Sequence, residues 1–263
     1  MKFSIIMASY NQVKFIQQAI ESVVNQTYQN YELIIVDGNS TDGSKDIINK
    51  YKDNDKIKIV IENDKGLYHA RNKGLLIATG DVIGFLNTDD YYELDALNKM
   101  NYAFHINTEY DVIYGFINAV DRFGEFIRQN GNYDFNKEKQ IKEYIALPDQ
   151  STFFRKKYLA RIGLYDSTFT IVADWDFWQR AMVLNLKFIY LNEHIANYRH
   201  YDETLTFNPK YINIRFKEVK RLYRKYNDVC LSRFIVKIYY YHYVKGPIKK
   251  VKLIEKLYRK INS

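Results

Sequence analysis

The sequence predicts an α/β fold in which a mostly parallel sheet is flanked by helices and followed by a helical, basic C-terminal extension. Three observations predict it. Short apolar runs alternate with helix-patterned stretches through the first hundred residues, the rhythm of a parallel sheet with crossover helices. Polar loops rich in Asn, Asp and Ser fall where those runs end. Basic residues crowd beyond residue 208, where 16 Lys/Arg face three Asp/Glu; residues 1–208 therefore carry −5 against the whole chain's +8.

Phe3–Ala8 is largely a run of consecutive apolar residues with little alternation, which marks a buried strand. Asn11 is placed to cap a helix carrying Val13, Ile16, Ala19, Ile20 and Val23 at helical spacing. Leu33–Val36 is a second strand, and the loop Asp37–Gly43 leads to a helix through Ile47, Ile48 and Tyr51. Ile57–Ile61 is a third strand, Gly66–Ala78 a third helix, and Val82–Leu86 a fourth strand that ends in Asn87-Thr88-Asp89-Asp90. In such sheets ligands bind beyond the carboxyl ends of the strands. The loops Ser9-Tyr10-Asn11, Asp37–Gly43 and Asn87–Asp90 all lie there. From about Tyr110 the rhythm changes. Val112–Val120 and Glu125–Gln129 read as a hairpin, followed by a helix over Lys137–Ala146. Ser151–Phe154 then precedes a helix starting near Arg155, with a helix over Trp175–Leu184 and a strand at Phe188–Leu191.

Composition narrows the function classes. An apolar fraction of 47% is that of a globular chain. Cys230 stands alone, so an internal disulfide framework and a Cys/His zinc site are excluded. The N-terminus runs directly into a strand pattern, so no signal peptide is expected. The apolar stretches are too short to cross a bilayer.

Asp89 and Asp90 close a buried strand, and paired carboxylates on a tight turn suit a hard cation, Mn²⁺ or Mg²⁺. The same pair can instead form an Asx turn or cap a helix.

Six segments in order now resemble the inverting glycosyltransferases of family 2. They are Ser4–Asn11, Ile35–Ser44, Asp64–Gly74, Ala78–Asp81, Phe85–Asp90 and Ala173–Trp178. The resemblance covers roughly residues 1–205 and implies a GT-A-type, Rossmann-like fold and a nucleotide-sugar donor, most simply a UDP-sugar. It divides the chain into a catalytic domain over 1–208 and the extension 209–263. Within the catalytic domain, 1–109 binds the donor and 110–208 faces the acceptor. It places Ser9, Tyr10, Asn11, Asp37, Asn39, Lys65, Gly66, Arg71, Asn87, Thr88 and Asp89 around the nucleotide-sugar, with Tyr10 as a platform for the base. Packing at a strand end, and an ion pair from Arg71 to Asp37 or Asp64, are the plainer roles of Tyr10 and Arg71. Asp89 is the implied principal metal ligand, Asp90 a second ligand or orienter, and His200 a further candidate. Asp174 is implied as the base that deprotonates the acceptor hydroxyl, with Asp176 as its rival; both can instead complement the dipole of their helix. Gln150 and Trp175 fall on the acceptor side. Gly38 and Asn87 stand where many members of the family carry aspartate, and Asp149 stands where many carry His before Gln150. The Gln-x-x-Arg-Trp motif of processive members is absent.

The extension sets Ile212, Phe216, Val219 and Leu222 near helical spacing among Lys and Arg, then adds Tyr239, Tyr240, Tyr241 and Tyr243. Basic amphipathic helices with tyrosines suit an anionic membrane surface, and packing on the catalytic domain is the alternative. No nucleic-acid module accompanies it. The expectation is a cytoplasmic, peripheral enzyme that adds single sugars to a glycan or lipid-linked glycan during surface polysaccharide biosynthesis. A non-catalytic sugar-nucleotide-binding partner and a sugar-1-phosphate nucleotidyltransferase are the competing readings; oligomeric state is left open.

Overall fold

The computed structural model describes residues 1–131, 147–205 and 208–226. Its strands are β1 (Phe3–Ser9), β2 (Tyr31–Asp37), β3 (Ile57–Ile61), β4 (Val82–Phe85), β5 (Tyr91–Tyr92), β6 (Val112–Val120), β7 (Phe126–Asn130), β8 (Thr152–Arg155) and β9 (Phe188–Arg199). Its helices are α1 (Ile16–Val24), α2 (Ser44–Asn49), α3 (Leu67–Ile77), α4 (Ala96–Ile106), α5 (Leu159–Ile162), α6 (Ala173–Val183) and α7 (Ile212–Tyr226). The helix expected over 137–146 lies outside the described residues.

One sheet runs in the order β3-β2-β1-β4-β8-β6-β9-β5, with β7 paired to β6. The β3-β2-β1-β4 half is parallel throughout. Past β4 the sheet becomes mixed: β8 is antiparallel to both β4 and β6, whereas β6 and β9 run parallel. β1 explains its own composition. Successive side chains of a strand point to opposite faces, and Phe3, Ile5 and Met7 enter one core while Ile6 and Ala8 enter the other. All are buried, so no polar alternation survives in the sequence. α3 lies close over β1 because Gly74 has no side chain; a Cβ there would sit 2.5 Å from Ile6 Cγ2.

Three boundaries differ from the expectation. α1 starts at Ile16, and Asn11 does not cap it. Instead Asn11 takes a left-handed φ of 53° and its Oδ1 accepts from Thr41 N at 2.9 Å. The residues after Asp90 enter β5, antiparallel to β9, before α4 begins. β9 runs on to Arg199, past Asn192 and Glu193, two exposed polar residues that hide its length in the sequence.

The first helix of the basic extension packs on the catalytic body. Val219, Leu222 and Tyr223 of α7 are buried in the core that holds Phe169 and Phe177. The tyrosine-rich segment beyond it lies outside the described residues.

Candidate active site

Beyond the carboxyl ends of β1 and β4 opens a cavity of about 920 Å³. Ser9, Tyr10, Asn87, Thr88 and Asp89 reach its wall from those strand ends, Lys65, Gly66 and Arg71 from the start of α3. Gln150, Asp174 and Trp175 close the other side. Tyr10 is 61% exposed although it follows a fully buried strand, so its ring is free to stack on a planar base. Ser9 Oγ is buried without a hydrogen-bond partner, a polar atom that a bound ligand can satisfy.

Arg71 organises the floor. It is 3% exposed, and its Nη1 pairs with Asp149 Oδ2 at 2.5 Å. Its guanidinium lies 5.0 Å from the Phe85 ring centroid and 5.6 Å from that of Tyr165. Asp149 accepts a second bond, from Trp178 Nε1 at 3.0 Å. The expected alternative partners of Arg71, Asp37 and Asp64, are not the ones used. Arg71 Nη2 also donates to Asn87 Oδ1 at 2.9 Å, and Asn87 Nδ2 donates to Asp90 Oδ2 at 2.9 Å. That relay explains asparagine at position 87: an amide can accept from Arg71 and donate to Asp90 at once, which a carboxylate cannot.

The two aspartates of the turn part company. Asp90 is 1% exposed and does not line the cavity. Its carboxylate is taken by Asn87, by Gln150 Nε2 at 2.7 Å and by Arg199 N at 2.9 Å. Burial, and then the neighbouring Asp89 charge, push its pKa well above the usual carboxylate range. Asp89 does line the cavity and accepts from Tyr201 OH at 3.0 Å. Burial raises its pKa too, against the Tyr201 hydrogen bond and the Arg199 charge. Among the described residues no three His, Cys, Asp or Glu side chains converge on one point, and His200 follows the last residue of β9. Its backbone N is bonded to Val120 O at 2.8 Å at the end of β9, and its side chain lies outside the cavity wall. The donor set that fits a cation is the Asp89 carboxylate, completed by water and a bound diphosphate, the usual company of Mg²⁺ and of similar hard ions.

Asp174, in the first turn of α6, presents its carboxylate to the cavity and accepts from Tyr68 OH at 2.9 Å. Burial first, and the Asp149 charge second, push its pKa up to about 7. A carboxylate so placed can take a proton near neutral pH. Asp176 faces the opposite way. It is 0% exposed, with Oδ2 held by Arg180 at 2.9 Å and Oδ1 by Lys225 at 2.6 Å and Tyr226 OH at 2.8 Å. It is a structural carboxylate and does not reach the cavity, which corrects its candidacy as the base.

The uridine-loop positions are divided as well. Asp37 is 0% exposed and both of its oxygens bind Ser40, at 2.7 Å each; it builds its loop and does not line the cavity. Asn39 and Asn11 likewise lie off the wall, Asn39 bonded to Asn63 and Lys45. The carboxylate that reaches the wall beside Tyr10 is Asp64. A Cβ on Gly38 would come within 2.7 Å of Asp64 Oδ2 and 3.2 Å of the Tyr10 ring, so glycine at 38 makes room for it. Asp64, Tyr68, Asp149 and Tyr201 are the residues that sequence reasoning missed. Tyr68 had a signal, since it precedes Arg71 by three positions and shares its helix face. Asp149 had one in its place beside Gln150. Tyr201 had none.

The model of the family described as Glycosyl transferase family 2 matches residues 4–161. An uncharacterized glycosyltransferase of Methanocaldococcus jannaschii is 28% identical over 251 residues, 92% of this chain and 86% of that one. A UDP-Glc:alpha-D-GlcNAc-diphosphoundecaprenol beta-1,3-glucosyltransferase of Escherichia coli is 49% identical over 89 residues, 34% of this chain and 36% of that one. Among solved structures, the 1–349 fragment of S. aureus TarS, in complex with UDP-GlcNAc, superposes with a TM-score of 0.70 at 22% identity. It covers 97% of this chain and 78% of the fragment, a likeness of fold.

Proposed function

The chain belongs to glycosyl transferase family 2 and is a glycosyltransferase, and from that premise we propose that it moves a sugar from a UDP-sugar to a hydroxyl of a glycan or lipid-linked glycan, with inversion. The observation that carries the proposal is one cavity that brings together Tyr10, Asp89 and Asp174. Tyr10 stacks on the base and Asp64 accepts from the nucleoside. Asp174 takes the proton of the acceptor hydroxyl as that oxygen attacks the anomeric carbon, and UDP departs from the opposite face, which inverts the centre. Mg²⁺ or Mn²⁺ held at Asp89 supplies positive charge against the diphosphate. Asp90 is the brace that fixes the turn. A UDP donor is supported by the name of the Escherichia coli relative, whose acceptor is also lipid-linked. The 16 Lys/Arg of the extension 209–263 support a station on the anionic cytoplasmic face of the membrane, where surface polysaccharides are assembled.

The test pairs binding with products. At about 100-fold over Kd a ligand adds about 2.7 kcal/mol, and a domain of this size gains about 2–4 °C per kcal/mol. UDP with Mn²⁺ should therefore raise the melting temperature by about 5–10 °C, and EDTA or Asp89→Ala should abolish most of the rise. A shift that survives both removes the metal from the site. With a matched acceptor, NMR should show an inverted anomer together with UDP; release of pyrophosphate would mark nucleotidyl transfer instead.

A further inference from the structure

We propose that Arg215 is an anion-binding point on the base side of the cavity, and that it takes the phosphate of a prenyl-phosphate-linked acceptor. The inference rests on the reading of the cavity as the transfer site and adds the acceptor's chemistry to it. Two arginines line the cavity among the described residues, Arg71 and Arg215. Arg71 has its carboxylate, Asp149. Arg215, on the first turn of α7, is 9% exposed and donates from Nη2 to Leu205 O at 2.7 Å. Asp174 and Glu218 stand near enough for their charges to act on it, but neither makes a direct ion pair with it among the described residues. Glu218, one turn further along the same helix, is committed to the backbone of the loop before Asp174, accepting from Thr170 N at 2.6 Å, Ile171 N at 2.9 Å and Val172 N at 3.3 Å. Asp174 itself is held by Tyr68.

A guanidinium cannot shed its proton in a protein, and for Arg215 burial outweighs the favourable charges of Asp174 and Glu218 nearby, so its pKa is pushed down. The cavity is where a counter-charge can arrive. A planar fork of N–H donors matches phosphate oxygens. The charge stands beside the loop that carries the base, so it meets the molecule whose hydroxyl Asp174 deprotonates. Phe169, Ile171, Trp175, Leu205 and Tyr211 make that stretch of wall largely apolar and aromatic. An anion joined to a hydrocarbon chain satisfies both features.

The experiment titrates farnesyl diphosphate into the full chain saturated with UDP and Mn²⁺, followed by calorimetry, with UDP titrated separately. Arg215→Met is expected to weaken farnesyl diphosphate binding by about 10–100-fold, the worth of a charged hydrogen bond, and to leave UDP affinity within about twofold. Arg215→Lys, which keeps the charge and loses the fork, is expected to fall between. Farnesol tests the wild-type chain alone and should bind more weakly by a similar factor. Unchanged farnesyl diphosphate binding in Arg215→Met, or equal binding of farnesol, overturns the inference. A loss confined to UDP also overturns it and assigns Arg215 to the donor. A wild-type chain that binds no UDP would instead sink the reading of the cavity, a failure visible in the separate arm.

Discussion

Asp174 and Asp176 share one helical turn and do different work, because one side chain reaches the cavity and the other is sealed beneath α7. Asp174→Asn should lower kcat by about 10²–10⁴, the span of general-base catalysis, with little effect on melting. Asp176→Asn should reverse the pattern. It keeps the chemistry and costs about 1–3 kcal/mol of stability through the Arg180 and Lys225 pairings, Lys225 being partly solvated. The pH profile carries a sign. A base works unprotonated, and the Asp174 carboxyl titrates at about 7, so kcat/KM should rise with pH through about 7 and level above it. The Tyr68 hydroxyl favours the ionised form by donating to it. Tyr68→Phe should then raise the Asp174 pKa and move the acid limb to higher pH. An unmoved limb would show that the hydroxyl spends its proton on Ile171 O, its other neighbour at 2.7 Å.

At the scale of elements, the site depends on a helix that sequence reasoning assigned to the extension. α7 holds the loop 170–172 through the three backbone hydrogen bonds of Glu218, and that loop sets where α6 begins. Glu218→Ala leaves three amides without their acceptor, a loss of about 2–4 kcal/mol for hydrogen bonds to a charged group in a partly wet setting. Melting temperature and kcat should fall together as Asp174 loosens, and Glu218→Gln should recover part of both. A fall in melting temperature alone would make Glu218 structural only. The parallel half of the fold was legible because β1 and β2 are buried on both faces and write continuous apolar runs. The Tyr10, Arg71, Asn87–Asp90 and Asp174 segments were legible because each is local in the sequence. What was not legible is long-range. Asp149 reaches Arg71 across 78 positions, Tyr201 reaches Asp89 across 112, and Glu218 reaches Ile171 across 47. No periodicity encodes such pairings. Asp37 is the local counterpart: both of its oxygens accept from Ser40, three positions along the same loop.

For the whole molecule, charge and packing draw different boundaries. By charge the chain divides near residue 208, with −5 before it and +13 after it. By packing the body takes in α7, because Val219, Leu222 and Tyr223 fill the core beside Phe169 and Phe177. A chain ending at Asn208 would lose those three side chains, each worth about 1.5–3 kcal/mol of burial. That sum rivals the 5–15 kcal/mol that holds a typical domain together, so this chain should fail to fold. A chain ending at Tyr226 keeps that packing and loses residues 227–263, where nine Lys/Arg face two Asp/Glu. The membrane proposal assigns those charges to an anionic surface, at about 1 kcal/mol per basic residue close to it. The shorter chain should therefore still transfer sugar to a water-soluble acceptor. It should lose most of its co-sedimentation with phosphatidylglycerol vesicles. For the full chain that co-sedimentation should weaken as salt shortens the Debye length from about 10 Å at 0.1 M to about 3 Å at 1 M. Vesicle binding that survives both truncation and high salt would place the membrane contact on the catalytic body, where the exposed Phe123, Phe126 and Ile127 of the β6–β7 hairpin are the apolar surface to mutate next.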